Sequence, residues 1–304
     1  MSSQLCGPQS CELYNKSCIF ENEKDWFFDM KKRAFIYGVA VDGNNFTDRV
    51  AETRRLKNDF ENGQNVILIS NRRIGKTSLV KHVCSQVDTD LINVVNMDIY
   101  DCRSEYDFYN KFATSILKQT AQKSDMILQN IKDFLVRLSP KISFSPDTGN
   151  EISLSLGITP KEYSAEEILQ LPELIAQKIG KRIVVCIDEF QQIRDYPETT
   201  TEAFIRTLVQ QCSNTRFIFC GSKRHMMTDI FYSPSKPFFQ SVINQSLKPI
   251  PMDTYIKFAG VLFAERSKFL DNFTAEVVYK MFGGCTWYMQ MMMNELFALT
   301  EKGM

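Results

Sequence analysis

Four short stretches constrain this chain more than any others: NVILIS (65–70), LINVVNMDIY (91–100), RIVVCIDEF (182–190) and TRFIFCGS (215–222). Each is largely apolar, and stretches of helical character separate them. A strand with apolar residues on both faces must be covered on both. Such strands alternating with helices predict an α/β fold, a mainly parallel sheet between two helical layers. Helices are expected over 47–62, where Val50, Leu56 and Phe60 lie near helical spacing and Asn62-Gly63 provides a stop. Others are expected over 76–87, in two segments over 104–136, and over 164–179 and 199–212.

PKISFSPDTGNEISLSLG (140–157) alternates polar and apolar residues around Asp147-Thr148-Gly149, a hairpin signal inserted into this pattern. Beyond Ser222 the strand pattern weakens. Residues 252–302 read as helices only, broken at Gly283-Gly284. The expected organisation is an irregular extension over 1–29, a core over 30–250 and a small helical lid over 251–304.

The 36 basic residues balance the 36 acidic ones, so no global field draws the chain to nucleic acid or a membrane surface, although local basic patches remain possible. No run of about 18 apolar residues predicts a membrane span. The N-terminus lacks the basic-then-apolar order of a signal peptide. None of the nine cysteines forms a CxxC pair. Cys6, Cys11 and Cys18 cluster without a nearby histidine, which argues against zinc. Reduced, buried thiols in a cytoplasmic protein are the expectation.

Function concentrates in VILISNRRIGKTSLVKHV (66–83). A strand, a loop ending in Gly75-Lys76-Thr77, then a helix is the context a phosphate-binding loop requires. The loop runs from Ser70 through Asn71, Arg72, Arg73 and Ile74 to Gly75, and on to Lys76, Thr77 and Ser78. Backbone N–H groups and the positive end of the helix would surround the phosphates. Gly75 permits close approach, Lys76 would reach the β- and γ-phosphates, and Thr77 would offer its hydroxyl to Mg²⁺. The usual pattern GxxxxGK[ST] opens on glycine; here Ser70 opens it, small enough for a turn. Arg72 and Arg73 could touch phosphate, contact a neighbouring element or face solvent.

The strand over 182–190 ends in Asp188-Glu189, at the sheet edge where a metal-binding acid and a general base are needed. Asp188 is the expected Mg²⁺ ligand and Glu189 the expected base. Ser222, at the end of another strand, could sense the γ-phosphate or the attacking water. Arg206 and Arg224 could each supply charge to the transferring phosphoryl group, within the chain or from another subunit. No [NT]KxD element follows a strand, so ATP is favoured over GTP.

These segments, with FIYGVAVDGNNFTDRVAETRRL (35–56) and FIRTLVQQCSNTRFIFCGSKRHMM (204–227), resemble the archaeal-type P-loop ATPases, which lie near the AAA+ and STAND ATPases. The resemblance extends over about 30–304. Its marks are Phe46, Arg49 and Glu52 before the loop, the arginine-bearing loop itself, and Gly221, Ser222 and Met227. It implies a P-loop NTPase three-layer sandwich in which Arg49 helps hold the adenine side. FGGCTWYMQMMMNELF (282–297) resembles the family's lid. Family members commonly continue into a winged helix, whereas this sequence stops at EKGM; a truncated form or a missing output domain is the expectation.

The favoured function is an ATP-binding, Mg²⁺-dependent ATPase acting as a nucleotide-driven switch, with ATP and ADP as ligands and a protein partner or self-association as its readout. The alternatives are a non-hydrolysing ATP-bound scaffold and a DNA-associated initiator or transposition-type ATPase. DNA is a possible partner, but neither a basic stripe nor a helix-turn-helix supports it. Nothing resembles a kinase acceptor site.

Overall fold

The computed structural model describes residues 33–121, 143–146, 152–155, 165–239 and 241–303. Five strands form one parallel sheet in the order β2-β5-β6-β1-β7: β1 (Val66–Ser70), β2 (Ile92–Asp98), β5 (Arg182–Asp188), β6 (Thr215–Gly221) and β7 (Ile243–Leu247). The inserted hairpin is present as β3 (Ser143–Pro146) antiparallel to β4 (Ile152–Ser155); its turn lies outside the described residues.

The period-2 geometry of the strands divides the core. Ile67 and Ile69, Ile183, Val185 and Ile187, and Phe217 and Phe219 face one side. There they meet α3 (Glu105–Ala121), α4 (Ala165–Ile179), α5 (Thr201–Gln211) and α6 (Arg224–Tyr232). Val66 and Leu68, Val184 and Cys186, and Ile218 and Cys220 face α1 (Val50–Glu61) and α2 (Lys76–Cys84) on the other. This is the sandwich the apolar strands demanded. Cys102, Cys186, Cys212 and Cys220 are free and buried, as expected of reduced thiols; Cys6, Cys11 and Cys18 lie outside the described residues.

Two elements depart from the sequence reading. The weak pattern after Ser222 conceals α6 and the fifth parallel strand. β7 is an edge strand with the sequence INQSL, in which Asn244 and Ser246 are exposed and the buried Gln245 donates to Asp59 Oδ2 at 2.7 Å. Of the two helical segments expected over 104–136, α3 is the first, and the second lies outside the described residues.

The C-terminal part is α7 (Met252–Ala264), α8 (Asn272–Met281) and α9 (Thr286–Leu299). These helices build a separate cluster around Tyr255, Phe263, Met289 and Met293, which also takes in Ala34 and Phe35. Phe35 sits 5.7 Å, ring to ring, from Phe263 and 6.3 Å from Phe297. The start of the described chain therefore packs with its end. Gly284 turns α8 into α9 at φ 75°, where an added Cβ would lie 2.6 Å from Pro249. Among the described residues no helix is long and apolar enough to cross a membrane.

Candidate functional site

Ligands of open parallel sheets bind beyond the carboxyl ends of the strands. Three neighbouring strands, β5, β6 and β1, end there in Asp188, Gly221 and Ser70. The residues that follow meet above the sheet edge.

Lys76 opens α2 behind Gly75, which adopts a left-handed φ of 92°. Its Nζ lies 2.7 Å from Asp188 Oδ1 and 3.9 Å from Glu189 Oε1. Burial pushes the Lys76 pKa down, but the Asp188 and Glu189 carboxylates outweigh burial and hold it above the ordinary lysine value. Thr77 Oγ1 donates to the other Asp188 oxygen at 2.9 Å. Hydroxyl and carboxylate thus converge as hard oxygen donors of the kind Mg²⁺ takes, so the donor set fits that ion.

Glu189 has a left-handed backbone, φ 54°, unusual for a non-glycine residue and typical of functional sites. Its Oε2 accepts from Ser222 Oγ at 2.8 Å and from Gln191 Nε2. Arg72 Nε in turn donates to Ser222 Oγ at 3.3 Å. The loop arginine, the serine after β6 and the acid after β5 form one hydrogen-bonded chain.

A cavity of about 420 Å³ opens over the loop, lined by Asn71 to Ser78, Glu189, Ser222, the 36–41 segment and lid residues that include Trp287 and Gln290. The 36–41 segment is tied down at its end, where Val41 N–H donates to Ser78 Oγ at 3.1 Å. The next residue, Asp42, lies 2.7 Å from His82 Nδ1. Hydrogen bonding to His82 holds the Asp42 carboxyl below its ordinary value. Phe46 stacks on the same imidazole with ring centroids 4.0 Å apart.

The loop's other contacts run to α9. Arg73, at φ 66°, places its guanidinium over Trp287 at 4.6 Å and Tyr288 at 5.1 Å and donates to the Tyr288 hydroxyl. Trp287 N–H donates to Arg73 O at 3.1 Å, and Thr286 Oγ1 to Ile74 O at 3.5 Å. Of the two arginines, Arg72 reaches Ser222 and Arg73 packs on the start of α9.

Other expected site residues lie elsewhere or do something different. Ser70 is not in the turn: it is the last residue of β1, paired with Leu247, and its hydroxyl is buried without a partner. An extended backbone there needs no glycine, which explains how serine is accommodated. The Ile74 side chain packs into the core rather than towards the cavity. Arg49 borders the cavity but is only 3% exposed; it donates to Lys248 O at 2.7 Å and Ile74 O at 3.2 Å. Its guanidinium braces the loop and the end of β7.

Arg206 is not brought to the site. It sits on α5, outside the cavity lining, with Nε and Nη1 buried and without partners. Burial lowers its pKa, as expected of a cation with no carboxylate beside it. Arg224 opens α6 as an exposed residue. Sequence reasoning missed Gln191 and the lid residues Trp287 and Tyr288. The only available signals were a polar residue two positions after the acids and two aromatics at a helix start.

Fold and site together define a P-loop nucleotide-binding protein. The chain belongs to the family described as the ATPase domain predominantly from Archaea, which matches residues 46–292. Comparison with curated proteins finds no match. Among solved structures it is similar to the Walker-type ATPase paby2304 of Pyrococcus abyssi, at 18% identity and TM-score 0.64, covering 88% of this chain and 72% of that one. It is also similar to the Aeropyrum pernix ORC2 protein in its ADPNP–ADP complexes, at 14% identity and TM-score 0.55, covering 85% and 64%. The Aeropyrum pernix ORC1 protein in complex with DNA follows at 10% identity and TM-score 0.56, covering 84% and 61%. The chain thus spans less than two thirds of the two ORC proteins. At these identities the likeness is one of fold.

Proposed function

We propose that this protein binds ATP with Mg²⁺, hydrolyses it, and uses the cycle to change how the helical lid over 251–304 sits on the core over 30–250. The observation that carries the reading is the convergence of Lys76, Thr77, Glu189 and Ser222 on one cavity, with Asp188 in direct contact with Lys76 and Thr77. Thr77 and Asp188 would hold Mg²⁺, which neutralises phosphate charge when bound. Lys76 would exchange Asp188 for the β- and γ-phosphate oxygens. Glu189 would take a proton from water as the water oxygen bonds to the γ-phosphorus. The bond from that phosphorus to the β–γ bridging oxygen breaks, and ADP leaves with the electron pair. Ser222 would turn towards the γ-phosphate or the water.

The contacts between Arg73 and the lid support the switch, since a loop that closes on phosphate also carries the lid's attachment. Turnover by the purified protein with Mg²⁺, with and without duplex DNA, beside Lys76→Ala and Glu189→Gln, tests the reading. Hydrolysis by wild type, lost binding in Lys76→Ala and binding without turnover in Glu189→Gln support it. A wild type that binds ATP but never hydrolyses it is the scaffold instead.

A further inference from the structure

Gln191 has a contact that its place in the core does not explain. It lies in the short 3₁₀ turn Phe190–Asp195 after β5 and is 2% exposed. Its Nε2 donates to Glu189 Oε2, yet its Oε1 is buried with no partner. A buried carbonyl without a donor carries the uncompensated loss of its hydration. An apolar side chain of equal size would pack there without that cost, so packing alone does not account for glutamine. Room for the amide comes from Gly221, where an added Cβ would lie 2.6 Å from Gln191 Oε1 and 2.4 Å from Met227. Three separate features therefore serve one contact: a missing side chain at 221, an unsatisfied carbonyl at 191 and a left-handed backbone at 189.

We propose that Gln191 is the positioning residue for the Glu189 carboxylate, fixing it from beneath while Ser222 fixes it from the side. Ser222 Oγ also takes a hydrogen bond from the exposed Arg72, a residue of the phosphate loop, so its grip changes when phosphate draws Arg72 away. Gln191 has no such link and is sealed beneath the cavity. It holds the carboxylate throughout the cycle, while Ser222 is the adjustable partner. The inference rests on the reading of Glu189 as the base.

The test is Gln191→Met, which conserves volume and removes the amide, with Gln191→Leu as a second variant of smaller bulk. Melting temperature without nucleotide, binding of a fluorescent ATP analogue, and kcat and KM separately are measured for each. The expected result is an unchanged or raised melting temperature, binding and KM within about threefold of wild type, and kcat lower by about tenfold to a hundredfold. In a Glu189→Gln background, under single-turnover conditions, Gln191→Met should reduce the residual rate no further. A kcat equal to wild type in both variants overturns the inference and leaves the ATPase reading intact. So does a full additional loss on top of Glu189→Gln. A wild type without turnover removes the base reading, and the inference falls with it.

Discussion

Lys76 Nζ is 2.7 Å from Asp188 Oδ1, which matches the loop cation to the acid at the end of β5. Replacing Lys76 by alanine removes the only cation in contact with two adjacent acids among the described residues. Two losses are expected. ATP binding disappears, and the nucleotide-free protein is destabilised by about 1–3 kcal/mol as the carboxylates lose their partner. Isothermal titration and urea unfolding measure them separately. A variant with unchanged stability would show that solvent, rather than Lys76, balances Asp188.

Gly221→Ala should be costly even though alanine is the smallest change available. The added methyl would meet Met227 Cγ and Sδ at 2.4 Å, and overpacking of this kind costs about 1–3 kcal/mol. Thermal unfolding should show the loss, and the further loss caused by Gly221→Ala should be smaller in a Met227→Ala background, where room exists.

Trp287→Ala removes a ring over the Arg73 guanidinium, a contact of about 0.5–2 kcal/mol. Hydrogen exchange over the first turn of α9 should speed up several-fold, while the sheet strands keep their protection. Tyr288→Phe, which keeps the ring and loses only the hydroxyl acceptor, should have the smaller effect. Equal protection in all three proteins would mean that the lid is held elsewhere.

Glu173, 8% exposed on α4, accepts from Asn214 N–H at 2.9 Å and Thr215 N–H at 2.8 Å, and so anchors the turn into β6. Burial alone would raise its pKa; hydrogen bonds from Asn214 and Gln177 outweigh burial and lower it below the ordinary value of 4.5. A depressed folded value means stabilisation that is present above the ordinary value and lost as the pH falls through the lowered one. Glu173→Gln should therefore be less stable by about 1–3 kcal/mol at pH 7. Urea unfolding at a series of pH values should show the gap to wild type closing below pH 4.5.

The sheet was legible because β1, β5 and β6 lie inside it, covered on both faces and nearly continuously apolar, and because the edge strand β2 keeps Ile92, Val94, Val95 and Met97. β7, at the opposite edge, was not, because Asn244 and Ser246 are exposed and the buried Gln245 is polar, bonded to Asp59. Lys76, Thr77, Asp188 and Glu189 were legible because local spacing and the strand–loop–helix context fix their positions. The separate fates of Arg72 and Arg73 were not, since adjacent arginines look alike in a sequence until a folded partner on each side distinguishes them. Gln191 escaped for a similar reason: its role depends on an empty space at Gly221, thirty residues away.

The attachment of α9 to the phosphate loop is made to main-chain carbonyls, with Trp287 N–H on Arg73 O and Thr286 Oγ1 on Ile74 O. In a planar trans peptide the carbonyl and the next residue's N–H point in opposite directions and turn together. Arg73 O and Ile74 N–H share one such plane, as do Ile74 O and Gly75 N–H. A peptide that rotates to offer its N–H to an anion must swing its carbonyl on the far side by the same angle. Under the proposed cycle, the helix resting on those carbonyls would be geared to the loop's occupancy through main-chain atoms alone.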